Sequence, residues 1–245
     1  MDYADMEQKL KAHAIHVVIF CSPHNPSGRV WEKEEVRRAM SLFEKYQVTV
    51  IADEIWSDLV LNDHIHVPVQ SVNTYAEKNT VAFYAPSKTF NLAGLIGSYH
   101  IVYDQRLRDC LKHAAAITHY NHMNVLSMHA LIAAYSPEGK DWLSRLKTVL
   151  SENVVYACEF IQRHFTDVAF ARPQGTYMLF LDCSQWCRRR QCTIDDLLRK
   201  GAEVGVMWQD GRPFHGENCI RMNLALPKSL VIEAFDRLRE YVFND

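Results

Sequence analysis

Glycine is scarce in this chain, at 9 of 245 residues against a usual share of about 7%. Each glycine that is kept is therefore expected where the backbone geometry is tight, and Gly28 and Gly175 are candidates. Long apolar runs are also missing, because no stretch approaches the roughly 18–20 residues of a membrane-spanning helix. The first residues, MDYADMEQKL, are acidic and do not resemble a secretion signal. These features do not indicate a membrane protein.

Net charge is another property that the sequence has little of. The formal charge is −2, which does not indicate a nucleic acid or an anionic membrane as a partner. The basic run at 188–190, three consecutive arginines, is isolated and is interpreted as a solvated turn.

Cysteine is present without the spacing of a disulfide framework. The seven cysteines, an odd number, are scattered between Cys21 and Cys219, which indicates reduced thiols and a cytoplasmic protein. Cys183, Cys187 and Cys192 lie close together in sequence, but no paired C-x-x-C motif frames them. No zinc site is therefore expected.

Short apolar strands and an amphipathic helix fill the first half of the chain. This pattern predicts an α/β fold, with a mostly parallel sheet and helices on its faces. In such a sheet, functional residues collect at the carboxyl ends of the strands. The predicted elements are a strand at 15–20, a helix at 32–47, and strands at 48–52, 81–85 and 98–104.

From residue 105 the sequence becomes helical. Ser136 and Pro137 are typical of a helix start, as N-cap and first helical residue. We predict part of a large domain over 1–135, a long connecting helix over 136–165, and a small α+β domain over 166–245. Within that small domain we predict strands in 168–184 and 219–226, and helices near 194–200 and 229–242.

Lys88 occupies an unusual place for a lysine. It follows the apolar run VAFY at 81–84, which predicts a buried strand that ends at Ala85. Phe90 and Leu92 come soon after it, so its amine is expected to be desolvated enough to act as a nucleophile. The alternative is an ordinary lysine that extends from a loop into solvent.

Two other polar segments follow predicted strands. Asn25-Pro26 and Gly28 come after the first strand, where they either form a turn or direct the amide side chain at a ligand. Asp53 and Glu54 end the second strand. A carboxylate at the inner edge of a sheet needs a partner, which is either a cationic ring nitrogen or an arginine.

These segments, in this order, resemble a known family. Asn25 lies in SPHNPSGRVW, Asp53 in ADEIWSDL and Lys88 in APSKTFNLAGL, and RPQGTYMLFLDCS and CIRMNLALPKS follow downstream. Together they resemble the fold-type-I pyridoxal-phosphate enzymes of the class I/II aminotransferase superfamily. The likeness is closest to the carbon–sulfur lyase branch, the cystathionine β-lyase-like proteins of the maltose-regulator type. The resemblance implies the aspartate aminotransferase fold, a PLP-dependent transferase-like architecture.

The resemblance also implies a role for individual residues. Lys88 would bind pyridoxal 5'-phosphate covalently and then act as the base that takes the substrate Cα proton. Asp53 would pair with the pyridine nitrogen, and Asn25 would donate to the phenolic oxygen of the ring. Arg221 would bind the substrate carboxylate in a bidentate manner. Ser87 would reach the cofactor phosphate, although its hydroxyl could equally cap the next turn.

Trp56 departs from the family pattern. It would lie at the cofactor, where related proteins usually have tyrosine or, in the lyase branch, histidine. An indole donates one hydrogen bond but neither accepts nor titrates, so tuning of the ring oxygen would differ. His64 and His66 are interpreted as residues of a loop or of the active-site wall, not as metal ligands. Three tyrosines are expected in the core: Tyr99, Tyr120 and Tyr177.

The resemblance further implies that Met1 falls where the large domain of the family is already well under way. The preceding part ordinarily supplies the aromatic ring on the cofactor, the phosphate-binding turn and contacts to the partner subunit. We therefore expect a fragment, an incomplete gene product or a shortened protein that binds its cofactor poorly. In each case an apolar sheet surface would be exposed.

The motifs favour a β-eliminating lyase that acts on cystathionine or a similar S-substituted cysteine and releases a thiol, pyruvate and ammonia. An aminotransferase shares the early chemistry and is the alternative, and a catalytically impaired remnant is a third hypothesis. The family implies a homodimer that binds a small sulfur amino acid. Nucleic acid, membrane and metal are not expected as partners.

Overall fold

The computed structural model describes residues 1–119 and 122–244, so the predicted core position of Tyr120 lies outside the described residues. The α-helices are α1 Tyr3–Ala12, α2 Lys33–Lys45, α3 Thr74–Asn79, α4 Pro86–Thr89, α5 Gln105–Thr118, α6 Val125–Ala134, α7 Pro137–His164, α8 Ser184–Arg190, α9 Ile194–Glu203 and α10 Lys228–Tyr241. The strands are β1 Val17–Cys21, β2 Thr49–Asp53, β3 Thr80–Tyr84, β4 Tyr99–Ile101, β5 Ala169–Phe170, β6 Met178–Asp182, β7 Gln209–Asp210 and β8 Cys219–Asn223. Short 3-10 helices lie at Val69–Ser71, Ala93–Leu95 and Arg212–Phe214.

The chain divides into two compact units. The first unit comprises Met1–Pro23, Val30–Val60 and His64–Leu143, and the second comprises His24–Arg29, Leu61–Asp63 and Ser144–Asp245. The boundary after Leu143 falls within α7, which lies at the position of the predicted connecting helix. The division into domains at residues 135 and 165 stays a prediction.

The first unit contains a sheet with the strand order β1-β2-β3-β4. Strands β1, β2 and β3 are parallel, and β4 is antiparallel to β3. The register aligns Cys21 with Asp53 and Asp53 with Phe83, so the carboxyl ends of three strands lie at the same edge. The predicted mostly parallel sheet is confirmed, and its edge is where the polar motifs emerge.

Helix α2 supplies much of the core of the first unit. A capping box formed by Glu32 and Glu35 begins this helix. Its buried residues recur with helical spacing at Val36, Ala39, Met40 and Phe43. They belong to one hydrophobic cluster with residues of β1, β2 and α3, and this cluster supports one face of the sheet.

Strand β4 differs from the expectation of buried strands, because all three of its residues are exposed. Tyr99 is 36% exposed, so its predicted place in the core was wrong. The strand comes last in the strand order, where a residue lacks neighbours on one side. The Tyr99 ring instead stacks on Tyr84 with centroids 5.4 Å apart and meets Tyr135 edge-on at 6.2 Å.

The second unit has an antiparallel sheet in the order β5-β6-β8-β7. Helices α7 and α10 contribute the buried aromatic residues Phe160 and Phe235, whose centroids are 5.5 Å apart. Buried Asn153 of α7 donates to the carbonyl oxygens of Leu224 and Leu226, both at 2.9 Å. These bonds attach α7 to the segment that follows β8. Tyr177, expected in the core, is only partly buried.

The arginine run at 188–190 forms the last turn of α8 and is not a turn between elements, which corrects the prediction. Positive side chains at a helix carboxyl end interact favourably with the helix dipole. Arg189 forms an ion pair with Asp167 at 2.6 Å, and the Arg190 guanidinium lies 4.9 Å from the Trp186 ring centroid. Such partners explain the run without a binding function.

Three kinds of feature do not occur in the part of the chain that the structure describes. No cysteine there forms a disulfide. No group of three or more His, Cys, Asp or Glu side chains is arranged to hold a metal ion. No helix among these residues is both long and apolar enough to span a membrane.

Candidate functional site

Asp53 is the last residue of β2 and is held on both sides by backbone hydrogen bonds. Its carbonyl oxygen accepts from the amide of Ser22 at 3.0 Å, and the next amide, of Glu54, donates to the Phe83 carbonyl at 3.0 Å. The Asp53 side chain accepts from the amide of Ile55 at 3.2 Å. Within the described residues no arginine, lysine or histidine forms an ion pair with this half-buried carboxylate. It is therefore available to an added cationic group.

Lys88 lies on the short helix α4, immediately after β3. Ala85 is extended and Pro86 occupies the first helical turn, so the chain bends where the strand ends. The side chain of Lys88 is partly buried, and no described carboxylate lies within ion-pairing distance of its amine. The partly buried Ser87 hydroxyl likewise makes no hydrogen bond to a described residue. The bend thus presents an amine and a hydroxyl that are free to bind a ligand.

Trp56 is buried, with 3% of its surface exposed, and its ring faces Lys88. The Lys88 Nζ atom lies 5.9 Å from the ring centroid, at the outer limit of a cation–π contact. The indole therefore forms part of the wall around the amine. The cofactor contact expected of Trp56 stays a prediction.

Glu54 is a site residue that the sequence analysis did not single out by itself. Its side chain is fully buried, and three groups donate to its carboxylate: His66 Nε2 at 2.7 Å, the Val69 amide at 2.8 Å and the Tyr84 hydroxyl at 2.8 Å. His66 is therefore a partly buried partner of Glu54, and it lies in the loop between β2 and the 3-10 helix Val69–Ser71. Burial and the nearby Glu54 carboxylate raise the pKa of Tyr84 far above its ordinary value, so its hydroxyl stays a donor. The sequence did contain a signal for Glu54, namely a charged residue directly after a predicted buried strand.

A second carboxylate fixes the turn that carries Lys88. Asp58 accepts a hydrogen bond from Thr89 Oγ1 at 3.0 Å and one from the Tyr135 hydroxyl at 3.2 Å. Thr89 is fully buried and adjoins Lys88 in sequence. Phe90 next to it stacks on Trp142 with centroids 5.7 Å apart and meets Tyr135 edge-on at 5.5 Å. These contacts hold the α4 bend in place within the first unit.

In the second unit, Arg221 and Asn25 contact each other. Arg221 lies in the middle of β8, and its Nη1 atom donates to Asn25 Oδ1 at 2.8 Å. Its Nε atom donates to Gln209 Oε1 at 2.8 Å, and Nη2 donates to the same oxygen. A guanidinium has five N–H groups, so one N–H remains on each terminal nitrogen. These two N–H groups remain available to a carboxylate, the group that arginine binds in a bidentate manner.

The surroundings of Arg221 favour recognition of an anion. The guanidinium carbon lies 4.4 Å from the Phe214 ring centroid. Burial lowers the pKa of Arg221, and nearby Tyr177 acts in the opposite direction. Arginine begins from a value so high that it stays charged at neutral pH. A partly desolvated, charged fork binds a carboxylate more strongly than an exposed one.

Gly28 shapes the loop that carries Asn25. It has a φ of +69°, and an added Cβ would lie 2.6 Å from Pro173 Cβ. Its amide donates to the His24 carbonyl at 2.7 Å, and its carbonyl accepts from the amides of Gln174 at 2.8 Å and Gly175 at 2.9 Å. The expectation of tight geometry is confirmed for Gly28, because only a residue without a side chain fits.

The chemistry of these donors fits pyridoxal phosphate. Among its described residues, the first unit provides an amine without a counter-ion, Lys88, and a carboxylate without a cationic partner, Asp53. The aldehyde of the cofactor requires an amine such as that of Lys88, and its basic ring nitrogen requires a carboxylate such as that of Asp53. In the second unit, Asn25 Oδ1 accepts from Arg221, so its Nδ2 is directed elsewhere and can donate to a ligand.

The chain belongs to the family of class I and II aminotransferases, whose family model matches residues 1–238. It is 32% identical over 242 residues to "Cystathionine beta-lyase PatB" of Bacillus subtilis, an alignment that covers 98% of this chain and 61% of that protein. It is 30% identical to "Protein MalY" of Escherichia coli, covering 93% of this chain and 57% of that one. The chain thus spans about 60% of the length of the curated relatives that it matches.

A solved structure gives the same result for the fold. Cystalysin from Treponema denticola superimposes with a TM-score of 0.91 at 27% identity, over 99% of this chain and 61% of that one. That structure contains a pyridoxal 5'-phosphate cofactor. The predicted family and fold are confirmed, and the predicted cofactor is the one found in this structural relative. The roles of individual residues stay predictions.

Proposed function

We propose that this chain has the function of a pyridoxal-phosphate-dependent carbon–sulfur β-lyase. The observation that carries the proposal is Lys88 at the bend after β3, in the same unit as Asp53 at the end of β2, with no ion pair at either residue in the described part of the chain. The lyase names of its relatives support the reaction class. The substrate would be an S-substituted cysteine, with cystathionine as the first choice.

In this proposal each residue has one task. Pyridoxal phosphate, when bound, would supply an electron sink for negative charge at the substrate Cα. Lys88 would provide the amine for covalent attachment and, once free, would take the Cα proton on Nζ. Asp53 would hold a proton on the basic ring nitrogen. Trp56 would pack beside the Lys88 amine and limit the access of water.

Arg221 would bind and orient the substrate, and Asn25 would orient the cofactor. The two unused N–H groups of the Arg221 fork would bind the substrate carboxylate, which fixes the direction of the Cα–H bond. Asn25 would donate through Nδ2 to the phenolic oxygen of the cofactor. Ser87 would donate its hydroxyl to the phosphate. The hydrogen bond from Arg221 to Asn25 supports the roles of both residues, because it orients the Asn25 amide.

The overall reaction balances without an oxidant. An S-substituted cysteine loses its Cα proton, the Cβ–S bond breaks, and the sulfur takes a proton to leave as a thiol. Addition of one water then gives pyruvate and ammonia.

Covalent trapping tests the attachment residue. The complete protein is incubated with pyridoxal phosphate, reduced with borohydride, digested and mapped by mass spectrometry. We expect the modified peptide to contain Lys88, and Lys88→Ala to abolish the modification. Lys78→Ala, which removes an exposed lysine of α3 in the same unit, is the matched control and should leave it intact. An unmodified Lys88 in the folded complete protein would refute the proposal.

A second assay separates the lyase from an aminotransferase. The complete protein is supplied with cystathionine and no keto acid, and pyruvate and free thiol are measured. A lyase produces both continuously, whereas an aminotransferase makes neither in catalytic amounts and instead needs a keto acid as amino acceptor. If pyruvate and thiol do not accumulate without a keto acid, the lyase proposal is wrong and the aminotransferase is favoured. A homodimer in the cytoplasm, acting on a small sulfur amino acid, completes the proposal.

A further inference from the structure

Glu54 is the most completely buried charged side chain of the first unit for which the proposed mechanism has no task. Its exposed fraction is 0%, and its carboxylate accepts from His66, Val69 and Tyr84. Burying a carboxylate is costly unless its oxygens are satisfied, and here three donors satisfy them. A carboxylate with so many partners has a positional function in the fold.

The three donors come from separate segments that the chain must bring together. His66 lies in the loop after β2, the Val69 amide begins a 3-10 helix, and Tyr84 is the last residue of β3. Tyr84 also stacks on Tyr99 of β4. Glu54 is therefore the point at which the carboxyl ends of β2 and β3 are joined by side chains as well as by the sheet.

The two residues next to this junction are the ones that the proposed function needs. Asp53 directly precedes Glu54, and Lys88 comes on the first helical turn after Tyr84. The Glu54 amide donates to Phe83, so both backbone and side chain of Glu54 bind the end of β3. A change in the Glu54–Tyr84 bond would thus alter the place of Asp53 relative to the bend that carries Lys88.

We propose that Glu54 is a positioning residue for the cofactor, acting through its hydrogen bond to Tyr84, an inference that rests on the proposed function. The bond sets the relative placement of the Asp53 carboxylate and the Lys88 amine. In this hydrogen bond the Tyr84 hydroxyl donates and the Glu54 carboxylate accepts, so its direction is defined. Asp58, through Thr89, holds the other side of the same bend.

The test uses Tyr84→Phe, because Glu54→Ala would leave three donors unpaired, the buried Val69 amide among them, and is expected to unfold the first unit. The substitution removes one hydroxyl and keeps the ring that stacks on Tyr99. Tyr75→Phe is the matched control. Its hydroxyl is also partly buried and donates to the carbonyl of Val48 at 2.9 Å, away from the Lys88 bend. Both variants should lose similar thermal stability.

The readouts are the dissociation constant for pyridoxal phosphate, measured by quenching of protein fluorescence, and the pH midpoint of the visible absorption of the bound cofactor. For Tyr84→Phe we expect about tenfold weaker binding and a midpoint moved by about half a unit or more. For Tyr75→Phe we expect neither. Glu54→Gln, which keeps the shape of the side chain, should change both readouts in the same way as Tyr84→Phe.

The outcomes distinguish the two proposals. If the wild-type protein is trapped at Lys88 but Tyr84→Phe matches Tyr75→Phe in both readouts, the inference about Glu54 is wrong and the proposed function stands. If the wild-type protein is not trapped at Lys88, both are wrong. A changed midpoint in Tyr84→Phe and Glu54→Gln, with an unchanged midpoint in Tyr75→Phe, supports the positioning role, since a loss of stability alone would not produce it.

Discussion

Arg221 Nη1 donates to Asn25 Oδ1 at 2.8 Å, although the two residues are 196 positions apart in the sequence. Because a guanidinium only donates, the amide atom that faces it must be the oxygen. The amide nitrogen of Asn25 is thereby directed to a different neighbour. The contact couples the residue proposed to bind substrate with one proposed to bind cofactor, inside a single unit of the fold.

Replacement of Arg221 by lysine should weaken substrate binding more than it harms folding. Lysine carries the charge but cannot form the fork, and it also leaves Asn25 Oδ1 or Gln209 without a donor. For Arg221→Lys in the complete protein we expect a loss of about 10- to 100-fold in kcat/KM, mostly through KM. Steady-state kinetics with cystathionine measure this effect.

Arg212→Lys is the matched control for that substitution. Arg212 is an exposed arginine of the same unit, and it pairs with Asp195 and Asp210. Its replacement should leave kcat/KM within about twofold, because exposed ion pairs contribute little. Equal losses in both variants would show that Arg221 has no specific part in binding.

Gly28→Ala should destabilise the protein. The positive φ strains an alanine, and the added Cβ would overlap Pro173. We expect the free energy of unfolding to fall by about 2–4 kcal/mol, measured by urea denaturation. Gly94→Ala is the control, because nothing lies within 4 Å of its added Cβ. If both variants retain wild-type stability, the explanation of Gly28 by steric exclusion is incorrect.

Glu7 should make the free energy of unfolding depend on pH under acidic conditions. Hydrogen bonds from Lys45 and then Tyr46 lower the pKa of this carboxyl to about 2, from an ordinary value of 4.5. Because the pKa is lowered in the folded state, the ionised Glu7 carboxylate stabilises the fold above pH 4.5, and this stabilisation is lost as the pH falls towards 2. Glu7→Gln should therefore be less stable than wild type at pH 7 and equal to it near pH 2.

Chemical denaturation at several pH values measures that difference. Glu217→Gln is the control, since Glu217 is exposed and forms no ion pair within the described residues. Its unfolding curves should follow those of the wild type throughout. A Glu7→Gln deficit that persists undiminished at pH 2 would contradict the assignment.

The cysteines should differ widely in reactivity. Burial raises the pKa of Cys158 to about 11 from 9, so its thiolate fraction at neutral pH is about a hundredfold lower than that of an ordinary thiol. Cys110 is exposed on α5. Brief alkylation with iodoacetamide at pH 7.5, followed by peptide mapping, should label Cys110 first and Cys158 after unfolding. Equal labelling in the native protein would be inconsistent with the described burial.

The elements that frame the site could be predicted from local patterns. Short apolar runs predicted β2 and β3 to within a residue or two, and the residues after them, Asp53 and Lys88, therefore lie at strand ends as expected. Tyr99 was misjudged because an apolar run does not reveal that its strand ends the sheet order. The helix α8 was missed because its arginines have no apolar periodicity.

The sequence by itself determined the family, the cofactor and the succession of the site-framing strands along the chain, because these depend on residue types and spacings within short segments of sequence. The tertiary structure decided which polar groups meet: Glu54 with His66, Val69 and Tyr84, and Arg221 with Asn25. The reason is physical. A buried charge must be satisfied by whatever donors packing brings within about 3 Å, and residues far apart in the chain become neighbours only through that packing.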